Sequence, residues 1–184
     1  NEVFLIEEER PRRLTHVQDE FVTVYRQAFI QGFQSTSADK TKVSGILYLP
    51  DSAAKKLPLV LFIHGGPVAQ DEFAFDLSRQ ILAAAGYAVA AVNYRGSSGR
   101  GFQYAKSIYA DWGNKEVQDI IGAADHLIRS GVADSGRLAI GGWSYGGILT
   151  NYTIAKDKRF KAAVSGAGSS FQFRSEEHTS ELQS

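Results

Sequence analysis

The chain has 184 residues, 43% of them hydrophobic and 22% charged, enough for one well-cored domain with a small appendage and ordinary for a globular protein. Twenty Lys and Arg balance twenty Asp and Glu, so charge provides no attraction for nucleic acid, and no apolar run approaches the roughly 20 residues of a membrane-spanning helix. The absence of cysteine excludes a disulfide framework and a thiolate metal site, though it leaves the compartment open.

The chain begins at Asn1, with no basic leader and apolar stretch behind it, which reads as an internal cut; a secretory signal would lie outside the sequence. Residues 1–27 hold two strand-like runs, Glu2–Glu7 (EVFLIE) and Glu20–Arg26 (EFVTVYR), joined by a polar link containing Arg12, Arg13 and Thr15. Strands without a helical pattern suggest the edge of an all-β unit. From about 28 to 173, strands and helices alternate. Ile30–Ser35 and Val43–Leu49 read as an antiparallel pair around a polar turn with Asp39 and Lys40. Leu59–Ile63 (LVLFI) is a continuous apolar run, expected as a buried strand of a parallel sheet.

Asp76–Ala85 has helical spacing and stops at Gly86, and Ala88–Val92 is the next buried strand. In Asn114–Ser130, Val117, Ile120, Ile121, Ala124, Leu127 and Ile128 recur at three and four, and Gly131 ends the helix. Arg137–Gly141 and Lys161–Ser165 are strands flanking a helix over about Tyr145–Lys156. This alternation predicts an α/β fold, a mostly parallel sheet with helices on both faces. The tail, residues 174–184 (RSEEHTSELQS), has neither periodicity and matches the in-frame translation of a common sequencing-adapter oligonucleotide; it is expected to be non-native and without chemistry.

The sharpest chemical signal is Gly142-Trp143-Ser144-Tyr145-Gly146, a G-x-S-x-G between the strand RLAIG and a helix. A serine on so tight a strand-to-helix turn is held in a strained conformation with its hydroxyl clear of the sheet. Small residues at Gly142, Gly146 and Gly147 avoid collisions with neighbouring elements. The following helix points its N-terminal N–H groups at the same spot, so an oxyanion forming beside Ser144 would meet the Tyr145 N–H.

His64-Gly65-Gly66-Pro67 follows the strand LVLFI, where a second oxyanion donor is placed in this class of enzyme, with Gly66 favoured over Gly65. His64 reads either as a general base or, preferably, as a residue that hydrogen-bonds to hold its loop. Asn93–Gly99 (NYRGSSG) also leaves a strand and borders the expected site, with no catalytic part of its own. Trp112-Gly113 reads as a packing and helix-entry feature, and Asp119 and Asp125 as solvent-facing or salt-bridged. No dinucleotide or nucleotide phosphate loop is present, and no cofactor or metal is expected.

A serine nucleophile needs a base oriented by a third group, in the order Ser, acid, His. After Ser144 the acids are Asp157 and the tail's Glu176, Glu177 and Glu181, and the one histidine is His178, also in the tail. None follows a further strand, so the triad acid and base are read as absent from this chain.

HGGP at 64–67, NYRGSSG at 93–99, DWG at 111–113 and GGWSYGG at 141–147 together resemble the prolyl oligopeptidase family of serine peptidases, nearest its acylaminoacyl-peptidase and dipeptidyl-peptidase-like branches. PRRLTHVQDE resembles the last propeller repeat before the catalytic domain, and SADKTKVSGILYLP the link into it, with Asp39-Lys40 where the family usually has Asp-Gly. The resemblance implies an α/β-hydrolase domain (28–173, incomplete) preceded by the last strands of a β-propeller (1–27). It also implies hydrolysis of short peptides, with Ser144 as nucleophile and the Gly66 and Tyr145 N–H groups as oxyanion hole. A carboxylesterase or lipase, or a non-catalytic binding protein of the same fold, are the competing readings.

Overall fold

The computed structural model describes residues 2–169. The expected tail and residues 170–173 lie outside the described residues, as does Asn1. The amino-terminal part departs from expectation. Its strands are β1 (Phe4–Glu7) and β2 (Arg10–Arg13), paired antiparallel, and the run expected as a second strand is instead a short helix, α1 (Asp19–Val24). The hairpin forms because Glu8 (φ 48°) and Glu9 (φ 63°) both take left-handed backbone, the geometry of a two-residue turn.

The helix forms despite its β-branched residues because its start is satisfied. The Glu2 carboxylate accepts the Gln18 N–H at 2.8 Å and the Val17 N–H at 3.3 Å, and Asp19 and Glu20 occupy the first turn. Phe21 then packs at a tilt against Tyr25 one turn later, 4.9 Å between centroids and 36° between planes, and meets Phe75 edge-on at 5.7 Å.

The remaining strands are β3 (Phe29–Thr36), β4 (Lys42–Leu49), β5 (Leu57–Ile63), β6 (Ala88–Asn93), β7 (Ala133–Trp143) and β8 (Phe160–Gly166). They form one six-stranded sheet in the order β3-β4-β6-β5-β7-β8. β3–β4 and β4–β6 are antiparallel, and β6–β5–β7–β8 are parallel, as the alternation predicts. The helices are α2 (Leu77–Ala84), α3 (Phe102–Lys106), α4 (Lys115–Arg129) and α5 (Tyr145–Lys156). α2 covers β4 and β6 on one face, starting where the Asp76 carboxylate accepts the Arg79 N–H at 3.0 Å. On the other face α4 and α5 bury Leu59, Leu61, Ile63, Leu138 and Ile140. Within α4, Val117, Ile120, Ala124 and Leu127 are fully buried while Ile121 and Ile128 sit at the margin, so the seam is narrower than the spacing suggests.

β6 is buried along its whole length, but β5 alternates: Leu59, Leu61 and Ile63 are sealed, Val60 and Phe62 half-covered. Its continuous apolar run is therefore not buried on both faces. The less covered face bears a groove of about 680 Å³ lined by Phe62, Leu82, Tyr87, Ala162 and Val164, among others. Arg95, just after β6, locks the architecture. Its guanidinium grips Asp119 of α4 (2.7 Å), Asp39 of the β3–β4 turn, the Ser37 hydroxyl (3.1 Å) and the Lys115 carbonyl (3.0 Å). Asp119 is thus salt-bridged but fully buried, not solvent-facing; Asp125 pairs with Arg159 at 2.7 Å near the surface.

Candidate active site

Ser144 stands between the end of β7 and the start of α5, at φ 56° and ψ −123°. A non-glycine residue there carries roughly 1–3 kcal/mol of backbone strain and persists only where its surroundings enforce it. They do so through backbone proximity. A Cβ on Gly142 would lie 2.5 Å from the Ile63 carbonyl oxygen, on Gly146 2.3 Å from the same oxygen, and on Gly147 2.6 Å from that of Gly166. The bend is pressed between β5 and β8, and only glycine fits at the three positions read from the sequence. The Ser144 N–H is tied to the Gly166 carbonyl at 2.9 Å. The serine itself is exposed at the carboxyl edge of the parallel strands, and the Trp143 side chain beside it is 70% exposed.

The HGGP loop, leaving the same edge of β5, comes alongside. A Cβ at Gly65 would meet the Trp143 carbonyl oxygen at 3.0 Å, the Ser144 Cβ at 3.4 Å and the Ser144 Oγ at 4.0 Å. Gly66 has φ +126°, where a Cβ would strike the Val68 nitrogen at 2.7 Å. Among the described residues the Gly66 N–H meets no hydrogen-bond acceptor. At the start of α5 the Gly147 and Ile148 N–H groups return to the Ser144 carbonyl, at 2.9 and 3.1 Å. The Tyr145 N–H, in the first turn, has no intrahelical partner by construction.

His64 takes the loop-holding role. Its Nδ1 lies 2.7 Å from the Gly65 carbonyl oxygen, which can only accept, so Nδ1 carries the proton and Nε2 accepts from the Ser97 hydroxyl at 2.9 Å. Both nitrogens are occupied, and burial pushes its pKa down, keeping the ring neutral. The Asn93–Gly99 loop therefore enters the site through Ser97 as a brace. Among the described residues no histidine is hydrogen-bonded to Ser144: His16 pairs with Asp19 and His126 stacks on Phe33. Asp157 is committed to Arg159 through its N–H (2.9 Å) and guanidinium (2.7 Å). His178 and the tail's acids lie outside the described residues.

Reasoning from sequence missed two participants. Glu116, at the start of α4, is fully buried and accepts the Tyr145 hydroxyl at 2.9 Å. Tyr94, also fully buried, donates its hydroxyl to the His64 carbonyl at 2.9 Å. Trp112 packs edge-on against the Tyr145 ring at 4.8 Å, the packing role read for it. Burial, with Glu116 adding to it for Tyr145, drives both tyrosine pKa values above the ordinary 10 and keeps the hydroxyls as donors. An acid in a first helical turn looks like a routine dipole partner, so nothing in the sequence marks Glu116 as buried.

Known proteins resemble this chain in sequence and in fold. A family model described as "Prolyl oligopeptidase family" matches residues 73–182, more than half of the chain. An uncharacterized peptidase, YuxL, of Bacillus subtilis (strain 168) is 36% identical over 156 residues, 83% of this chain and 24% of that protein. The acylaminoacyl peptidase of Pyrococcus horikoshii superimposes with a TM-score of 0.84 at 30% identity, over 92% of this chain and 28% of that one. An acylaminoacyl peptidase in complex with Z-Gly-Gly-Phe-chloromethyl ketone does so with a TM-score of 0.86 at 31% identity, over 95% and 28%. The chain thus spans about a quarter of the length of these relatives.

Proposed function

Since the chain belongs to the prolyl oligopeptidase family and carries the α/β-hydrolase fold, we propose that it contributes the nucleophile and oxyanion hole of a serine peptidase acting on short peptides. The observation that carries this is the exposed Ser144 hydroxyl on its strained bend, with the HGGP loop on one side and the first turn of α5 on the other.

In this reading Ser144 Oγ attacks the scissile carbonyl carbon as its proton passes to a base. The carbonyl oxygen becomes an oxyanion received by the Gly66 and Tyr145 N–H groups. Collapse expels the amine and leaves an acyl-serine, which water hydrolyses to release the acid and restore the hydroxyl. Residues 1–27 are assigned to the last strands of a propeller and 28–173 to the first part of the peptidase domain. In this reading none of the described residues serves as the base or as the acid that orients it. The 184-residue chain assayed alone is expected to be inactive, because without a base the Ser144 hydroxyl keeps its proton.

A peptide is the proposed partner. One structural neighbour was solved with a peptidyl chloromethyl ketone, and the groove beside the HGGP loop is apolar and suits side chains more than charged groups. The carboxylesterase reading shares the bend and the loop, and Pro67 and the amino-terminal segment weigh against it. A non-catalytic role leaves the strain at Ser144 without a use. The test is fluorophosphonate labelling of the full-length protein together with turnover of peptide anilides and short acyl esters. Labelling that persists in Ser144→Ala overturns the nucleophile, and ester turnover without anilide turnover favours the esterase.

A further inference from the structure

The two loops that supply the proposed oxyanion donors are joined beneath the surface by a column of aromatic rings. His64 lies 4.4 Å from Tyr94 with planes 17° apart, Tyr94 lies 6.1 Å from Tyr145 at 23°, and Tyr145 meets Trp112 at 4.8 Å and 78°. Each tyrosine is pinned at its hydroxyl, Tyr94 to the His64 carbonyl and Tyr145 to Glu116 Oε1, both at 2.9 Å. One pin holds the His64–Gly65 peptide, one step before the peptide that carries the Gly66 N–H and whose Gly65 carbonyl meets His64 Nδ1. The other holds the side chain of Tyr145, whose N–H is the second proposed donor.

Glu116 is an expensive way to hold a tyrosine. It is fully buried, its Oε1 also receives the Gly113 N–H, and its Oε2 meets no partner among the described residues. No basic side chain among the described residues pairs with it. A buried carboxylate without a cation is disfavoured, and an apolar residue of similar size would serve stability better. What the Glu116 carboxyl adds is a fixed, desolvated acceptor that allows the Tyr145 hydroxyl one position.

We propose that Glu116 and Tyr94 are positioning residues which, through Tyr145 and His64, set the separation of the Tyr145 and Gly66 N–H groups to that of a tetrahedral oxyanion. The inference rests on the peptidase reading above. The stacked rings act as a spacer between the loops, and the two hydroxyl pins prevent either loop from sliding along it. Neither residue touches the substrate. Their effect falls on the transition state, where the negative charge develops, and leaves ground-state peptide binding largely alone.

The test uses the full-length enzyme and a peptide anilide. Tyr145→Phe and Tyr94→Phe keep the rings and remove the pins. Each is expected to lower kcat about tenfold with KM within about twofold, and to weaken a peptidyl boronate, a tetrahedral mimic, by a similar factor. Glu116→Gln retains an acceptor at the same place and is expected to keep kcat within about threefold of wild type, whereas Glu116→Leu behaves like Tyr145→Phe. If the Phe variants melt at a lower temperature but keep wild-type kcat and boronate affinity, the column is packing only and the proposal falls. They are conservative enough to settle the matter even if Glu116→Leu does not fold. Ser144→Ala separates the two levels: if it turns over substrate, the peptidase reading itself has failed, whereas an inactive Ser144→Ala alongside unaltered Phe variants removes the positioning role alone.

Discussion

The bend at Ser144 and the hairpin at Glu8-Glu9 both hold non-glycine residues at positive φ, and they are held in opposite ways. Around Ser144, backbone meets backbone: Gly142 and Gly146 close on the Ile63 carbonyl and Gly147 on that of Gly166, leaving no space for a side chain. Around Glu8 and Glu9 the chain is exposed, neither β1, β2 nor α1 contains a buried residue, and the unit is organised by hydrogen bonds to the Glu2 carboxylate. A conformation enforced by buried backbone leaves a mark on residue type, because only one residue fits. A conformation chosen among surface hydrogen bonds leaves almost none.

The comparison breaks most readily at Gly146. Gly146→Ala places a methyl group 2.3 Å from the Ile63 carbonyl oxygen, and the backbone of β5 has no room to withdraw from beneath α5. We expect a loss of about 4 kcal/mol or more, measured as the shift of the urea unfolding midpoint in the full-length protein. A loss under about 1 kcal/mol would mean the bend is not enforced by this contact.

Next in size is Asp119→Asn. Removing the charge leaves the buried Arg95 with Asp39 as its one charged partner among the described residues, and breaking one side of a buried pair costs about 3 kcal/mol or more. The matching surface change, Arg12→Ala against the exposed Glu7, should fall within about 0.5 kcal/mol. Equal effects would erase the distinction between the regions.

Ser144→Gly is smaller and of opposite sign. Glycine takes the φ of 56° without strain, which offsets its larger entropy loss on folding. A gain of about 1 kcal/mol is expected in the unfolding midpoint, with complete loss of fluorophosphonate labelling. A destabilised variant would place the strain elsewhere.

What could be read in advance follows the same division. The α5 boundaries, Tyr145–Lys156, the β3–β4 pair and the parallel run of the later strands are all visible in hydrophobic period and glycine placement, because burial decides them, whereas the order of the strands in the sheet is seen in the structure alone. Glu20–Arg26 looked like a strand since Val22, Thr23 and Val24 favour one, but local propensity is weak beside a satisfied helix start and the Phe21–Tyr25 contact. Arg10–Arg13 carried no strand pattern at all, and its pairing is imposed by the turn before it. In the site, the glycines and Ser144 were legible from steric need. Glu116 and Tyr94 were not, because a first-turn acid and a strand-end tyrosine are common and only the assembled fold brings each beside the oxyanion loops.

The smallest effect tests the surface end of the comparison. The Glu2 carboxylate gathers the Thr15 hydroxyl, the Gln18 N–H, the Arg13 guanidinium and the Val17 N–H, and these bonds, the Thr15 one foremost, hold its pKa down to about 2. In the unfolded chain the same carboxyl titrates near about 4.3. Since the folded pKa is the lower one, its contribution is fully present above the unfolded value and is lost as pH falls from there toward 2. Glu2→Gln should reproduce that loss at neutral pH. With no buried residue depending on the hairpin, the global unfolding midpoint should not move measurably, while amide exchange at Gln18, Val17 and Leu14 accelerates. Acceleration that also reached the amides of β5 or α5 would mean the amino-terminal unit unfolds together with the Ser144 bend, and that the two regions are one cooperative structure.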